Sequence, residues 1–325
     1  MNRDPIAGFR LGALLAERFE GGRVFAARLG DTPMEQLRQQ LLMAGLTLAG
    51  AAVSDAGAVP LSTLRFLIRE NGASGGAAAD GERWIACGAG GRPIPAAEQE
   101  TLARVGEAHF RGGEPVEPRT ESRGFSLHLR RIVASVDAEA IRRRSLRVAW
   151  CADGAAALRM PGFLRKFEVE PVAAPDFAAM PETITRGHCD FGVAPDREGA
   201  AVRLFDDRGR AIPPAQSLAM MLEHILEAFP ETLAVTASTG SFAERLAAES
   251  GCELRRGGEG ETGLLATMQS AGSGLGGDGR TGMLVWRRVQ PAPDAFAAIA
   301  ILLELSALSG AALSVIADQT GAEQP

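Results

Sequence analysis

Short apolar segments alternate with amphipathic helical segments along most of this 325-residue chain. Strand character occurs at residues 23–27 and 51–56, whereas residues 34–50 and 61–70 carry apolar side chains at helical spacing. The alternation returns after residue 213. Strand, helix and strand in this order predict βαβ units on mostly parallel sheets. We therefore expect an α/β fold of consecutive domains, whose mixed, mostly parallel sheets are sandwiched by helices.

The distribution of glycine, proline and charge predicts three domains. Residues 112–124 are rich in all three and indicate a linker, which follows a helix predicted at 96–109. A single basic helix is predicted at 127–144. We place the domains at residues 1–120, 121–212 and 213–325, and expect the second to be short.

Charge and cysteine content exclude several classes of function. The net charge of −6 disfavours nucleic acid or an anionic membrane as a partner, because such binding needs a basic surface. The four cysteines (Cys87, Cys151, Cys189 and Cys252) are widely separated and form no C-x-x-C pair. We therefore expect neither a zinc site nor a disulfide framework.

Two stretches bear on cellular location. The first residues carry charges throughout, without the apolar run of a signal peptide. The longest apolar stretch, residues 295–308, is interrupted by Glu304 and is too short to span a bilayer. We interpret it as a buried helix of a cytoplasmic protein.

Residues 189–210 combine a short apolar strand, a loop with two carboxylates, a second strand and a D-x-x-G-R turn. This segment resembles, without a gap, the metal-binding segment of the α-D-phosphohexomutases, the phosphomannomutase/phosphoglucomutase family. Asp196 and Glu198 occupy the first two carboxylate positions of the family's DGDxDR loop, whereas Ala200 and Ala201 replace its third Asp and its Arg. The resemblance implies a weakened Mg²⁺ site at Asp196 and Glu198. The alternative is a surface loop that carries two acids.

A second resemblance concerns the family's nucleophile. Residues 64–76 are similar to the segment that leads into the TASHNP loop, whose serine is phosphorylated and passes the phosphoryl group to and from the sugar. Here the chain continues AAADGERW, and Ser74 is the one hydroxyl nearby. Ser74 is therefore a weak catalytic candidate, and an ordinary turn residue is the alternative.

A third resemblance concerns sugar binding. Residues 276–283 (GGDGRTGM) are similar to the family's GExSGH loop, which holds sugar hydroxyls. Asp278, Arg280 and Thr281 are the residues that this implies for sugar binding, whereas a glycine-rich connecting loop is the alternative. The phosphate-binding RPSGTEP loop of the family's fourth domain has no counterpart, so the resemblance covers domains I to III.

These replacements predict a phosphohexomutase-like chain that has lost its chemistry and serves in binding, regulation or assembly. The alternative is an active Mg²⁺-dependent phosphosugar mutase with rewired residues, and a third possibility is a structural homo-oligomer. No cofactor is expected apart from weakly held Mg²⁺. A hexose phosphate, or an enzyme of sugar-nucleotide or polysaccharide synthesis, is the partner that the resemblance implies.

Overall fold

A computed structural model describes residues 7–95, 98 and 116–320. The helix predicted at 96–109 and residues 112–115 of the predicted linker lie outside this part, apart from residue 98. The described residues form twelve α-helices and three β-sheets. They divide into two compact units, Met1–His128 and Leu129–Pro325. The fold is therefore the expected α/β arrangement, with one sheet in each predicted domain.

The first unit contains a five-stranded sheet in the order β4-β3-β1-β2-β5. Its helices are α1 (Ala7–Arg18), α2 (Pro33–Leu48) and α3 (Leu61–Glu70). Its strands are β1 (Arg23–Arg28), β2 (Ala52–Ala58), β3 (Gly75–Asp80), β4 (Arg83–Gly88) and β5 (Arg119–Thr120). β1 pairs in parallel with β2 and β3, whereas β4 is antiparallel. Helix α4 (Gly124–Val133) contains the boundary between the two units.

Helix α2 shows how local sequence specifies an element. The Thr32 hydroxyl accepts a hydrogen bond from the Glu35 backbone N–H, and the Glu35 side chain accepts one from the Thr32 N–H. This capping box, followed by Pro33 in the first turn, satisfies N–H groups that have no partner within the helix. Leu42 and Leu46 of this helix are fully buried.

Strand β3 was not predicted, since the sequence GGAAAD has little β propensity. All six of its residues are buried between β1 and β4. A Cβ at Gly76 would lie 2.8 Å from the Phe25 carbonyl oxygen and 2.9 Å from the Ile68 Cδ1 atom. Only residues as small as glycine and alanine fit here, because β1 and α3 approach the backbone of β3 closely. The choice of residue is therefore set by packing.

The second unit contains a five-stranded sheet in the order β10-β9-β8-β6-β7 and a four-stranded sheet in the order β12-β11-β13-β14. Its further helices are α5 (Ala138–Arg144), α6 (Gly154–Lys166), α7 (Met180–Gly187), α8 (Pro214–Ala228), α9 (Phe242–Ser250), α10 (Gly260–Ala271), α11 (Ala295–Ser309) and α12 (Leu313–Thr320). Its strands are β6 (Arg147–Trp150), β7 (Glu170–Ala173), β8 (Phe191–Pro195), β9 (Val202–Phe205), β10 (Ala211–Ile212), β11 (Leu233–Thr236), β12 (Leu254–Gly257), β13 (Leu275–Asp278) and β14 (Met283–Trp286).

Two expectations for this unit were wrong. The basic helix predicted at 127–144 is two helices, α4 and α5. The Asp137 side chain accepts a hydrogen bond from the Ala140 N–H and so begins α5 as a separate helix. The second concerns residues 276–283, whose alternative interpretation was a glycine-rich connecting loop: residues 276–278 belong to β13 (Leu275–Asp278), whose four residues are all buried.

Helix α11 joins the two sheets of this unit. Its residues from Ala295 to Leu303 are all buried, and Phe296 contacts Phe163 of α6 edge to face with ring centroids 5.2 Å apart. The predicted buried helix is therefore confirmed. Among the described residues no single helix is long and apolar enough to cross a membrane, although α11 and α12 together reach that length and composition across a 99° bend.

Candidate functional site

A cavity of about 860 Å³ lies at the carboxyl edge of the β6–β10 sheet. It is bordered by the loops that follow β6 and β8, by the chain after β7, and by the turn that follows β13. Its lining residues include Cys151, Asp153 and Asp196 from the loops after β6 and β8, and Arg280 and Thr281 from the turn after β13. The loop after β8 and the turn after β13, separated by about 80 residues in the sequence, are thus brought to one cavity within the second unit.

The order of the strands explains this position. β6 lies between β7 and β8 and is parallel to both, so the chain moves to one side of β6 and then crosses back to the other. A sheet of this kind opens a crevice at the carboxyl ends of the strands where the winding reverses. The loops at 151–153 and 196–197 flank that crevice.

Asp196 lies at the cavity, where its carboxylate binds its own loop. Its Oδ1 accepts a hydrogen bond of 2.8 Å from the Ala200 N–H, and its Oδ2 accepts one of 3.1 Å from the Ala201 N–H. Glu198, two residues further on, is half-buried and does not line the cavity. Among the described residues, no group of three or more His, Cys, Asp or Glu side chains is arranged to hold a metal ion.

Asp278 is fully buried beneath the cavity and contributes no surface to it. Its carboxylate accepts hydrogen bonds from the Thr236 hydroxyl at 3.1 Å, the Arg280 N–H at 3.0 Å and the Thr281 hydroxyl at 3.0 Å. These bonds hold the turn that presents Arg280 and Thr281. Asp278 therefore positions Arg280 and Thr281, the two residues that were predicted with it to bind sugar.

Ser74 lies in the first unit, immediately before β3. Its N–H donates to the carbonyl of Arg23, the first residue of β1. Ligands of α/β sheets bind beyond the carboxyl ends of the parallel strands, whereas Ser74 is at the amino end of its strand. At the carboxyl end, β3 passes into β4 through the two residues Gly81 and Glu82. This position favours the alternative of an ordinary turn residue.

Sequence reasoning missed several residues that line the cavity, among them Asp153, Phe177, Arg197 and Arg203. Phe177 and Arg203 carried no motif, and only the folded chain brings them together, with the Arg203 guanidinium 4.6 Å from the centroid of the Phe177 ring. Cys151 is the thiol of the cavity. Burial, together with the negative charges of Asp153 and Asp176, raises its pKa above the usual value, which keeps the thiol protonated at neutral pH.

Comparison with known proteins places this geometry in a class. Residues 213–322 match the family model of phosphoglucomutase/phosphomannomutase, alpha/beta/alpha domain III. A phosphoglucomutase/phosphomannomutase family protein of Burkholderia thailandensis superposes with a TM-score of 0.82 at 19% identity, over 97% of this chain and 75% of its own. No curated protein sequence matches the chain.

Two more distant structures share the fold. Parafusin, a phosphoglucomutase of Paramecium, superposes with a TM-score of 0.70 at 14% identity, over 97% of this chain and 70% of its own. The N-acetylphosphoglucosamine mutase of Aspergillus fumigatus does so with a TM-score of 0.53 at 12% identity, over 90% of this chain and 65% of its own.

The three-sheet α/β architecture is therefore that of the phosphohexomutases. Within it, residues 213–322 match the phosphoglucomutase/phosphomannomutase domain III, and the chain as a whole has a phosphohexomutase-like fold. The resemblance predicted from the loops at 189–210 and 276–283 is confirmed at this level.

Proposed function

We propose that this chain binds a phosphorylated sugar without transferring its phosphoryl group, and that it acts as a binding, regulatory or assembly module in sugar-phosphate or sugar-nucleotide metabolism. The observation that carries the proposal is the use of the two inherited carboxylates. Asp196 binds the N–H groups of Ala200 and Ala201, and Asp278 is buried in a turn. Phosphoryl transfer depends almost entirely on positioned charge, and these carboxylates serve the loops that carry them.

The other side chains at the cavity are suited to binding a phosphorylated sugar. Arg280 presents a cation and Thr281 a hydroxyl at the cavity, both held by Asp278. An arginine and a hydroxyl are ordinary partners of phosphate and sugar oxygens. A cavity of about 860 Å³ also lies within the size range of small-molecule sites.

A coupled assay tests the proposal. Glucose 1-phosphate and mannose 1-phosphate are offered with Mg²⁺ and a hexose bisphosphate activator, and formation of the 6-phosphates is followed against an active phosphoglucomutase. Binding of the same sugars is followed by thermal shift. We expect no turnover, but a rise in melting temperature of a few degrees, because a ligand at about 100 times its Kd adds about 2.7 kcal/mol to stability. Turnover that Asp196→Ala abolishes would contradict the proposal.

The alternative, an active Mg²⁺-dependent mutase, is favoured by one observation. Asp196, Arg280 and Thr281 lie around one cavity. Mg²⁺ commonly binds one or two carboxylates together with water and substrate phosphate. Asp196 would then need oxygens from the bound sugar phosphate to complete the site. A thermal shift by a hexose phosphate that requires Mg²⁺ would favour this alternative.

The partner remains part of the proposal. The likeness to a sugar-phosphate enzyme suggests an association with an enzyme of sugar-nucleotide or polysaccharide synthesis. Affinity purification of the chain from native lysate, with Arg280→Ala as the matched bait, should recover such an enzyme. Recovery of no sugar-nucleotide enzyme would remove this part of the proposal and leave the ligand part in place.

A further inference from the structure

An aromatic ring and a guanidinium group stack on the wall of the cavity. The Arg203 guanidinium lies 4.6 Å from the centroid of the Phe177 ring, and both residues line the cavity. Phe177 is 40% exposed, and the buried ring of Phe205 holds it at a centroid distance of 5.1 Å. A fixed ring that carries a planar cation offers a platform on which another planar ring can stack.

The charges around the platform favour an anion. Three arginines line the cavity (Arg197, Arg203 and Arg280), against the carboxylates of Asp153 and Asp196. Asp196 already accepts two backbone N–H bonds, which offset part of its charge. Helix α6 begins just after Asp153, and the positive end of its dipole adds to the attraction for an anion at that edge.

The position of the cavity in the sheet favours a ligand that has both a planar ring and phosphate groups. The cavity lies at the point where the winding of the β6–β10 sheet reverses, the position at which doubly wound sheets bind mononucleotides. A hexose phosphate alone has no planar ring to place against Arg203 and Phe177. A nucleotide supplies a base for the platform and phosphates for the arginines.

We propose that the cavity binds a nucleoside diphosphate or its sugar ester, with the base stacked on Arg203 and Phe177 and the diphosphate between Arg197 and Arg280. This inference rests on the proposed binding function and names the ligand class of the same site. The sugar of such an ester would extend toward Thr281, which the Asp278 turn holds at the cavity.

Calorimetry on the full chain tests this inference. The probes are UDP, GDP and ADP, with inorganic phosphate, uridine and glucose 1-phosphate as partial ligands. Phe177→Ala removes the platform, and Phe229→Ala is the matched control. Phe229 is 41% exposed and also carries an arginine, Arg288 at 4.2 Å, but it does not line this cavity.

We expect at least one diphosphate to bind, and Phe177→Ala to weaken that binding about tenfold or more, because stacking of a base on an aromatic ring supplies that much affinity. Phe229→Ala should leave it unchanged. Arg203→Ala, at an exposed position, repeats the test if Phe177→Ala does not fold. Arg280→Ala should weaken the diphosphates and inorganic phosphate alike.

The outcomes separate the two proposals. Binding of glucose 1-phosphate without any diphosphate overturns the nucleotide inference and leaves the proposed function standing. Diphosphate binding that Phe177→Ala and Arg203→Ala leave unchanged overturns the inference as well. Turnover of glucose 1-phosphate instead removes the proposed function, whatever the nucleotides do.

Discussion

At the scale of single residues, Asp196 and Asp278 both accept hydrogen bonds from the segments that carry them, but they differ in burial. Asp278 is fully buried and accepts three hydrogen bonds, whereas Asp196 is exposed and accepts two from its own loop. The resemblance implied metal binding for Asp196 and sugar binding for Asp278. Burial makes one of them a support of the fold, because a buried carboxylate must be hydrogen-bonded.

This difference predicts unequal costs of substitution. Asp278→Ala leaves the Thr236 hydroxyl and the Arg280 N–H without their acceptor in a buried region, which should lower the free energy of unfolding by about 3 kcal/mol. Asp196→Ala exposes two N–H groups to water and should cost about 1 kcal/mol. Urea denaturation of both variants measures the difference. Equal costs, or a neutral Asp278→Ala, would contradict the structural role of Asp278.

At the scale of elements, the hairpin of β3 and β4 stands where the resemblance placed the nucleophile loop. Gly81 adopts a positive φ of 54° in its two-residue turn, and the Asp80 carboxylate pairs with Arg83 across it. β3 itself is a buried strand of glycine and alanine. The small side chains allow α3 to pack closely on this part of the sheet.

Close packing predicts that the glycines of this hairpin are not equivalent. Gly76→Ala places a methyl group 2.8 Å from the Phe25 carbonyl oxygen, and should destabilise the chain by about 2 kcal/mol. Gly88→Ala is the matched control, since φ is −85° there and no atom lies within 4 Å of the added methyl group. Thermal denaturation should show a lower melting temperature for Gly76→Ala alone. A Gly76→Ala protein as stable as the wild type would show that the sheet is looser than described.

At the scale of the whole molecule, the segment that matches the domain III model depends on the preceding domain to cover its apolar residues. Helix α11 lies in that segment, yet Phe296 packs on Phe163 of the preceding domain, and the Ala295 N–H donates to the Gly199 carbonyl. The Asp207 carboxylate likewise accepts from the Ser314 N–H at the start of α12. The two sheets after residue 128 therefore share one core.

This shared core predicts how fragments behave. Residues 129–325 expressed alone should fold and unfold cooperatively, whereas residues 213–325 alone should expose the apolar face of α11 and lack a sharp thermal transition. Circular dichroism melting of both fragments, with the full chain for comparison, measures this. A sharp transition in the shorter fragment would show that its domain is independent of its neighbour.

The patterned elements could be predicted from the sequence, because their signals are local. Helix α3 begins and ends at the predicted residues, 61 and 70, and the pair of strands around the loop at 196–201 matches the prediction. Helix α2 was predicted as amphipathic from its leucines, yet Leu42 and Leu46 are buried while Leu37 and Leu48 are 49% and 47% exposed. Periodicity identifies a helix, but the neighbouring elements decide which of its apolar faces is covered.

The sequence by itself determined the alternation of strands and helices, the family likeness of the loops at 189–210 and 276–283, and the residues that those loops carry. Only the tertiary structure decided that β3 exists, that Ser74 lies at the amino end of its strand, that Asp278 is buried, and that Phe177 meets Arg203 at the cavity. The physical reason is the distance along the chain over which each effect acts. Capping, periodicity and turn chemistry act between neighbours in the sequence, whereas burial, close approach and the convergence of side chains depend on contacts between segments that are far apart in the chain.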